Sequence, residues 1–116
     1  MTLNHDYSEI SFYRISWHEF FEIDLDEYFV YFFQRTCSHC ESFKNTIIEE
    51  ALNRGNIFFI EDSDETRLTN DASYTIGLSE VDEFAILGFP SMIKIVDHII
   101  TKNVAGVSQI KSLLFS

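Results

Sequence analysis

The first half of the chain contains two short runs of apolar residues. Tyr-Phe-Val-Tyr-Phe-Phe occupies 28–33 and Ile-Phe-Phe-Ile occupies 57–60. Runs that lack a polar face are typical of parallel strands covered by helices on both sides. The stretch 10–15 alternates apolar and polar positions and predicts a further strand near the start of the chain. We therefore expect three parallel strands within the first 60 residues.

Helical patterns lie between these strands. Residues 16–19, Ser-Trp-His-Glu, have the sequence of a capping box and predict a short helix. A longer helix is predicted to begin near Cys37 and to end at Gly55, because glycine tolerates the left-handed backbone that often ends helices. The residues expected to face inward are Trp17, Phe20 and Phe21 in the first helix and Phe43, Ile47, Ile48, Ala51 and Leu52 in the second. The alternation of strands and helices indicates an α/β fold.

The next stretch is less regular. Residues 61–78 are polar and acidic without a clear period, which predicts a long connection. A second cap pattern at 79–82 predicts a short helix that contains Phe84 and Ala85 and ends at Gly88.

The C-terminal part predicts a hairpin followed by a helix. Residues 92–96 and 99–104 are rich in β-branched side chains and flank Asp97-His98, a pair suited to a tight turn. Ser108 is positioned to cap the last helix. The residues that this helix is expected to bury are Ile110, Leu113 and Leu114.

Length and composition favour one globular domain over residues 1–116. The chain is 46% hydrophobic and contains twelve Phe residues, enough for a core but not for two domains. No apolar run approaches the roughly 20 residues of a membrane span, and the first residues lack a signal-peptide pattern. We therefore expect no membrane partner and a cytoplasmic protein, with secretion still open if a signal peptide was removed.

The chain is strongly acidic. Nineteen acidic against eight basic residues leave a net charge of −11, which argues against nucleic acid as a partner. The acidic run at 61–65 has two interpretations. A solvated loop is the more common one and is preferred; a surface that selects basic partner proteins is the other.

The only two cysteines lie in the motif Cys37-Ser38-His39-Cys40. At the start of a helix this spacing places both sulfurs on one face, near amide groups and a helix dipole that stabilise a thiolate. Such a pair can form a reversible disulfide. A zinc site needs four ligands, and His5, His18 and His98 are not at ligand spacing from the cysteines. We therefore expect a redox pair with no metal and no cofactor.

Several motifs together resemble the thioredoxin family over 10–115. They are the CxxC motif after an apolar strand, Gly88-Phe89-Pro90-Ser91 before a hairpin, and Gly106 before the last helix. The resemblance implies a thioredoxin-like fold, with a central mixed sheet of three parallel strands plus a C-terminal antiparallel hairpin, flanked by helices. The segment around the cysteines resembles, more loosely, the bacteriocin transport accessory proteins of Gram-positive bacteria.

The resemblance also implies roles for individual residues. Cys37 is expected to be the nucleophile and Cys40 the buried resolving thiol. The Phe89–Pro90 peptide bond is expected to be cis and to lie beside them. The residues expected to bind substrate are Phe89, Pro90 and Thr36.

The sequence departs from the thioredoxin pattern at two positions. Thr36 replaces the tryptophan that usually precedes the first cysteine, and Tyr31 replaces a buried acidic residue of the central strand. Glu61 or a water molecule would have to act in place of that acid. His39, directly before the second cysteine, is expected to stabilise the Cys37 thiolate and to make the disulfide more oxidising.

Two functions follow from these features. The preferred one is a thiol-disulfide oxidoreductase that reduces or exchanges protein disulfides in cell redox homeostasis. Its partners would be proteins with disulfides or thiols, and a reductase resembling thioredoxin reductase is one candidate for the electron donor. The alternative is a thioredoxin-fold binding or accessory module whose cysteines are regulatory or idle.

Overall fold

The computed structural model describes residues 5–115, which form an α/β fold around one mixed sheet. Four strands make the sheet in the order β2-β1-β3-β4. β1 pairs in parallel with β2, and the other two pairings are antiparallel. The strands are β1 (Glu27–Phe33), β2 (Ile57–Glu61), β3 (Ser91–Val96) and β4 (Ile99–Ala105).

Within residues 5–115, two α-helices and two short 3-10 helices accompany the sheet. The long helix α1 connects the two parallel strands, and α2 follows β4 at the end of the chain. The helices are α1 (Ser38–Arg54) and α2 (Val107–Phe115), with 3-10 helices at Tyr7–Tyr13 and Ser73–Thr75.

β1 is covered on both faces, as its sequence predicts. Its alternate side chains enter two separate cores, because successive side chains of a strand point to opposite sides of the sheet. One core lies under α1 and contains Phe29, Tyr31, Phe33, Cys40 and Phe43, among others. The second core lies on the other face and contains Tyr28, Val30, Phe32, Trp17, Phe20 and Phe84, among others.

The predicted strand over 10–15 is wrong. Residues 7–13 form a 3-10 helix whose N-terminus is closed by a reciprocal capping box between Asp6 and Glu9. Only Arg14 keeps strand pairing, as an isolated parallel bridge to Phe59. The apparent alternation did not mark a buried face, since Phe12 is 89% exposed. The sheet therefore has two parallel strands where the sequence predicted three.

The two short helices predicted from cap patterns are also wrong. Residues 17–21 form turns, although the backbone amide of Ser16 donates to Glu19 Oε1 at 2.9 Å as a capping box requires. Residues 79–88 form bends, a turn and irregular backbone, with Ile86 in an isolated bridge to Leu68. Segments this short gain too few hydrogen bonds to offset helix nucleation. Trp17, Phe20, Phe84 and Ala85 are nevertheless buried, so burial was predicted better than local conformation.

The remaining elements confirm the sequence predictions within a residue or two. α1 ends at Gly55, whose φ is 73°, and the hairpin turns at Asp97 and His98, which both have positive φ. Leu52 was expected to be buried but is 44% exposed. α2 starts at Val107, so Ser108 lies inside the helix and does not cap it.

Replacement of Gly55 tests the left-handed end of α1. We expect Gly55→Ala to lower the free energy of unfolding by about 1 kcal/mol, because a Cβ disfavours positive φ. A new Cβ would have only the Tyr13 hydroxyl near it, at 3.8 Å, so the cost is conformational and not steric. Gly55→Asn, a residue that tolerates this region, should lose less. Urea unfolding measures both, and wild-type stability of Gly55→Ala would contradict the assignment.

Candidate functional site

Cys37 is the N-cap residue of α1. Its backbone is extended, and its sulfur accepts a hydrogen bond from the amide of Cys40 at 3.2 Å. This arrangement is that of an ordinary N-cap, with sulfur in the place of the usual oxygen. The amide and the positive end of the helix dipole both favour a negatively charged sulfur there. Cys37 is partly exposed, so its sulfur can meet a substrate.

Cys40 lies one turn further and is fully buried in the core under α1. Burial, together with a hydrogen bond to the side chain of Cys37, raises the pKa of the Cys40 thiol to about 12. The two cysteines are therefore chemically unlike: one sulfur is partly exposed and capped by an amide, and the other is a buried neutral thiol.

Phe89 and Pro90 lie directly beside Cys37. The Cys37 thiol donates to the backbone carbonyl of Phe89 over a sulfur-to-oxygen distance of 3.7 Å. The Phe89–Pro90 peptide bond is cis. The Phe89 side chain contacts both cores, and Pro90 is buried with its carbonyl accepting from the Gly106 amide at 2.9 Å. The segment before β3 and the turn before α2 thus hold one side of the site.

His39 and Thr36 flank the cysteines on the surface. His39 is in the first turn of α1 with an exposed side chain, while its carbonyl accepts from the Ser42 hydroxyl at 2.9 Å. Thr36 is exposed in the turn that precedes α1. It lines a shallow cavity of about 180 Å³ together with Gln34, Arg35, Glu61 and Asp62.

Glu61 is held by two arginines. Arg14 Nη2 lies 3.0 Å from its Oε1, and Arg35 Nε lies 2.9 Å from its Oε2. Its neighbour Asp62 accepts from Gln34 Nε2 at 2.8 Å. These contacts give the start of the acidic run a structural role, since they join the end of β2 to the turn before α1. Both carboxylate oxygens of Glu61 are thus paired with arginines.

Two buried tyrosines extend the site beyond the residues that the sequence indicated. Tyr31 from β1 and Tyr7 from the first 3-10 helix belong to the same core as Cys40. Burial raises the pKa of both phenols, and the charge of an ionised Cys40 raises it further. The sequence marked Tyr31 only as a missing acid. Nothing in it placed Tyr7 here, because that placement depends on the helix that replaced a predicted strand.

No group of three or more His, Cys, Asp and Glu side chains within residues 5–115 is arranged to hold a metal ion. In the same part of the chain, no helix combines the length and apolar character needed to cross a membrane.

The unlike cysteines predict unlike reactivity towards iodoacetamide. At pH 7.5 we expect Cys37 to be alkylated much faster than Cys40, because a buried thiol with a pKa near 12 is almost wholly protonated there. In Cys37→Ser, labelling of Cys40 should be slow at pH 7.5 and rise with pH up to its pKa. Cys40→Ser, the matched control, should label readily at pH 7.5. Mass spectrometry locates the label, and equal rates for the two single variants would contradict the prediction.

Comparison with known proteins agrees with this geometry. No protein-family model matches the sequence, and no curated protein sequence matches it. Solved thioredoxin structures do resemble it. Mitochondrial thioredoxin 3 from Saccharomyces cerevisiae, in its oxidized form, is 16% identical with a TM-score of 0.60 over 94% of this chain and 99% of that one.

Two further structures lead to the same conclusion. Plasmodium falciparum thioredoxin is 20% identical with a TM-score of 0.58, over 88% of this chain and 95% of that one. Thioredoxin f from spinach chloroplast is 14% identical with a TM-score of 0.55, over 88% of this chain and 80% of that one. The resemblance seen in the motifs therefore extends to the three-dimensional structure: the chain has a thioredoxin-like α/β fold with a CxxC pair at the start of α1.

Proposed function

We propose that the protein is a thiol-disulfide oxidoreductase acting on protein disulfides through Cys37 and Cys40. The observation that carries this proposal is the difference between the two sulfurs. Cys37 Sγ is partly exposed and accepts the Cys40 amide at the helix start, whereas Cys40 is a buried thiol one turn away. An accessible nucleophile next to a protected second thiol is what a two-step exchange requires.

The exchange proceeds in two displacements. The Cys37 thiolate attacks one sulfur of a substrate disulfide, a Cys37–substrate disulfide forms, and the other substrate sulfur leaves with the electron pair and takes a proton. Cys40 then attacks Cys37 Sγ, which releases the second substrate sulfur as a thiol and leaves a Cys37–Cys40 disulfide. The substrate gains two electrons and two protons, which the dithiol loses. The reverse sequence oxidises a substrate dithiol.

Substrate recognition is assigned to Phe89, Pro90 and Thr36. Phe89 and Pro90 border Cys37 on one side, and Thr36 is the exposed residue before it. An extended substrate segment lying beside these residues would present its disulfide to the partly exposed Cys37 sulfur. The chain spans most of the length of the thioredoxins it resembles, and we propose that residues 1–116 act as one domain.

The wider setting is part of the same proposal. Substrates would be proteins with exposed disulfides or thiols, and a thioredoxin reductase-like enzyme would return electrons to the Cys37–Cys40 pair. A cytoplasmic role in redox homeostasis agrees with this chemistry. The net charge of −11 argues against nucleic acid as a partner.

Trapping of substrates tests the proposal. Cys40→Ser should accumulate mixed disulfides between Cys37 and proteins in a cell lysate, because the second displacement is removed. Non-reducing electrophoresis detects them, and dithiothreitol should release them. Cys37→Ser, which lacks the nucleophile, is the control and should trap none.

Insulin reduction with dithiothreitol measures the same activity by turnover. Wild type should accelerate it, and either serine variant should fall to the uncatalysed rate. Absence of both trapping and insulin reduction would reject the oxidoreductase and favour a binding module with idle cysteines.

His39 is expected to set the direction of exchange. A histidine close to the Cys37 sulfur stabilises its thiolate and therefore the reduced protein, which makes the disulfide more oxidising. Glu41 acts in the opposite sense, although its carboxylate is partly compensated by Lys44 Nζ at 3.0 Å. The proposed potential is therefore intermediate within the family range of about −270 to about −120 mV.

Measurement of the reduction potential against glutathione checks this expectation. We expect wild type to lie above about −270 mV and His39→Ala to become more reducing by roughly 30 mV, which corresponds to a tenfold change in equilibrium constant. Ser38→Ala, at the other intervening position, should change the potential less. A wild-type potential at or below that of thioredoxin, or an unchanged His39→Ala, would remove His39 from the proposal.

A further inference from the structure

The core under α1 contains two polar groups that the proposed exchange does not use. The hydroxyl oxygens of Tyr31 and Tyr7 are both buried, and neither has a hydrogen-bond partner among residues 5–115. Tyr31 is 0% exposed and Tyr7 is 4% exposed. Buried hydroxyls are normally paired, because an unpaired one loses its hydrogen bonds to water without replacement. Two such groups in one core require an explanation.

Both rings lie against the part of the structure that contains the cysteines. Tyr31 is on the face of β1 that α1 covers, and its ring centroid is 6.0 Å from that of Phe43, which follows Cys40 by one turn on α1. Tyr7 stacks on Phe33 with the centroids 4.2 Å apart, and Lys44 Nζ lies 5.9 Å from its ring. Cys40 belongs to the same core, and Cys37 contacts it.

We propose that the hydroxyl groups of Tyr31 and Tyr7 donate hydrogen bonds to the Cys40 sulfur as it becomes a thiolate, and thereby position and stabilise it for attack on the mixed disulfide. The proposal rests on the exchange described above and adds two positioning residues to it. Neither phenol changes its protonation state. The Cys40 proton ends on the departing substrate thiol, so the balance of the second displacement is unchanged.

The electrostatics of this core support the assignment. Burial is the main cause that raises the pKa of both phenols, so both keep their protons and act only as donors. Negative charge on Cys40 raises the pKa of each phenol further.

Few other charged groups act on this part of the core. Cys37 contributes from the N-cap of α1 to both phenols. Glu41 and Arg35 act on Tyr7 with opposite sign. Glu61 is paired to two arginines, whereas the two phenol hydroxyls are buried in the core of Cys40 without a partner among residues 5–115.

Ellman's reagent separates the two displacements without any biological substrate. The first thionitrobenzoate is released when Cys37 attacks the reagent, and the second when Cys40 displaces the thionitrobenzoate left on Cys37. Stopped-flow absorbance of Tyr31→Phe, Tyr7→Phe and the double variant reports both phases. Each substitution removes only a hydroxyl and keeps the ring that the core requires.

The expected change is a slower second phase. Loss of one donor should raise the Cys40 pKa and lower its thiolate fraction, an effect that is partly offset by a more nucleophilic sulfur. The net result at pH 7.5 is a second phase about threefold slower in Tyr31→Phe and slower still in the double variant. The first phase should be unchanged. The titration of Cys40, followed by its ¹³Cβ chemical shift, should begin at higher pH.

Tyr28→Phe is the matched control. Tyr28 is on the same strand but faces the other core, where its hydroxyl donates to the carbonyl of Phe20. Tyr28→Phe should leave the second phase and the Cys40 titration unchanged. An unchanged second phase in both Tyr31→Phe and Tyr7→Phe would overturn the proposal, as would equal slowing by Tyr28→Phe.

These outcomes are separable from those of the proposed function. If Cys40→Ser traps no proteins but Tyr31→Phe slows the second phase, the oxidoreductase fails and the tyrosine assignment stands. If trapping succeeds and the tyrosine variants keep wild-type phases, the assignment fails alone.

Discussion

The burial of β1 on both faces is the constraint on which the rest of this structure depends. One face of the strand meets α1 and the other meets the aromatic residues of the loops, so the six residues of 28–33 hold two cores together. Removal of so much apolar surface from water is the main driving force for folding. The burial of β1 also determines where this strand ends. The turn at 34–37 follows the strand and leads into α1, with Cys37 at the start of the helix.

The chemistry of the site follows from the position of Cys37 at the start of α1. The first turn of α1 offers the amide of Cys40 to the Cys37 sulfur and sends the Cys40 side chain into the core, so that one sulfur is partly exposed and the other is a buried neutral thiol. The same core carries Tyr31 from β1 and Tyr7 from the first 3-10 helix. The carboxylate of Glu61 is instead held at the edge by Arg14 and Arg35. Phenols thus occupy the buried side of the site, and carboxylates its surface.

Prediction from sequence succeeded where a single strong pattern decides the conformation. The two apolar runs became β1 and β2, Gly55 ended α1, and Asp97-His98 formed the hairpin turn. It failed at 10–15 and at the two short cap patterns, where local preferences are weak and nearly balanced. In the first case the capping box between Asp6 and Glu9 selected a 3-10 helix, and alternation that resembled a strand left Phe12 in solvent. At 16–19 the cap hydrogen bond formed without a helix, and 79–82 also formed no helix.

By itself, the sequence determined the strands that are buried on both faces, the long helix and the adjacent pair of cysteines, because each depends on residues that are close together in the chain. Only the tertiary structure decided what surrounds those cysteines. Phe89 contacts Cys37 although the two are 52 residues apart in the sequence. Glu61 pairs with Arg35 and Arg14, which are 26 and 47 residues away. Tyr7 lies in the core because residues 7–13 form a 3-10 helix that the sequence pattern did not predict. Contacts between distant segments arise from the packing of whole elements against the sheet, which no local pattern encodes.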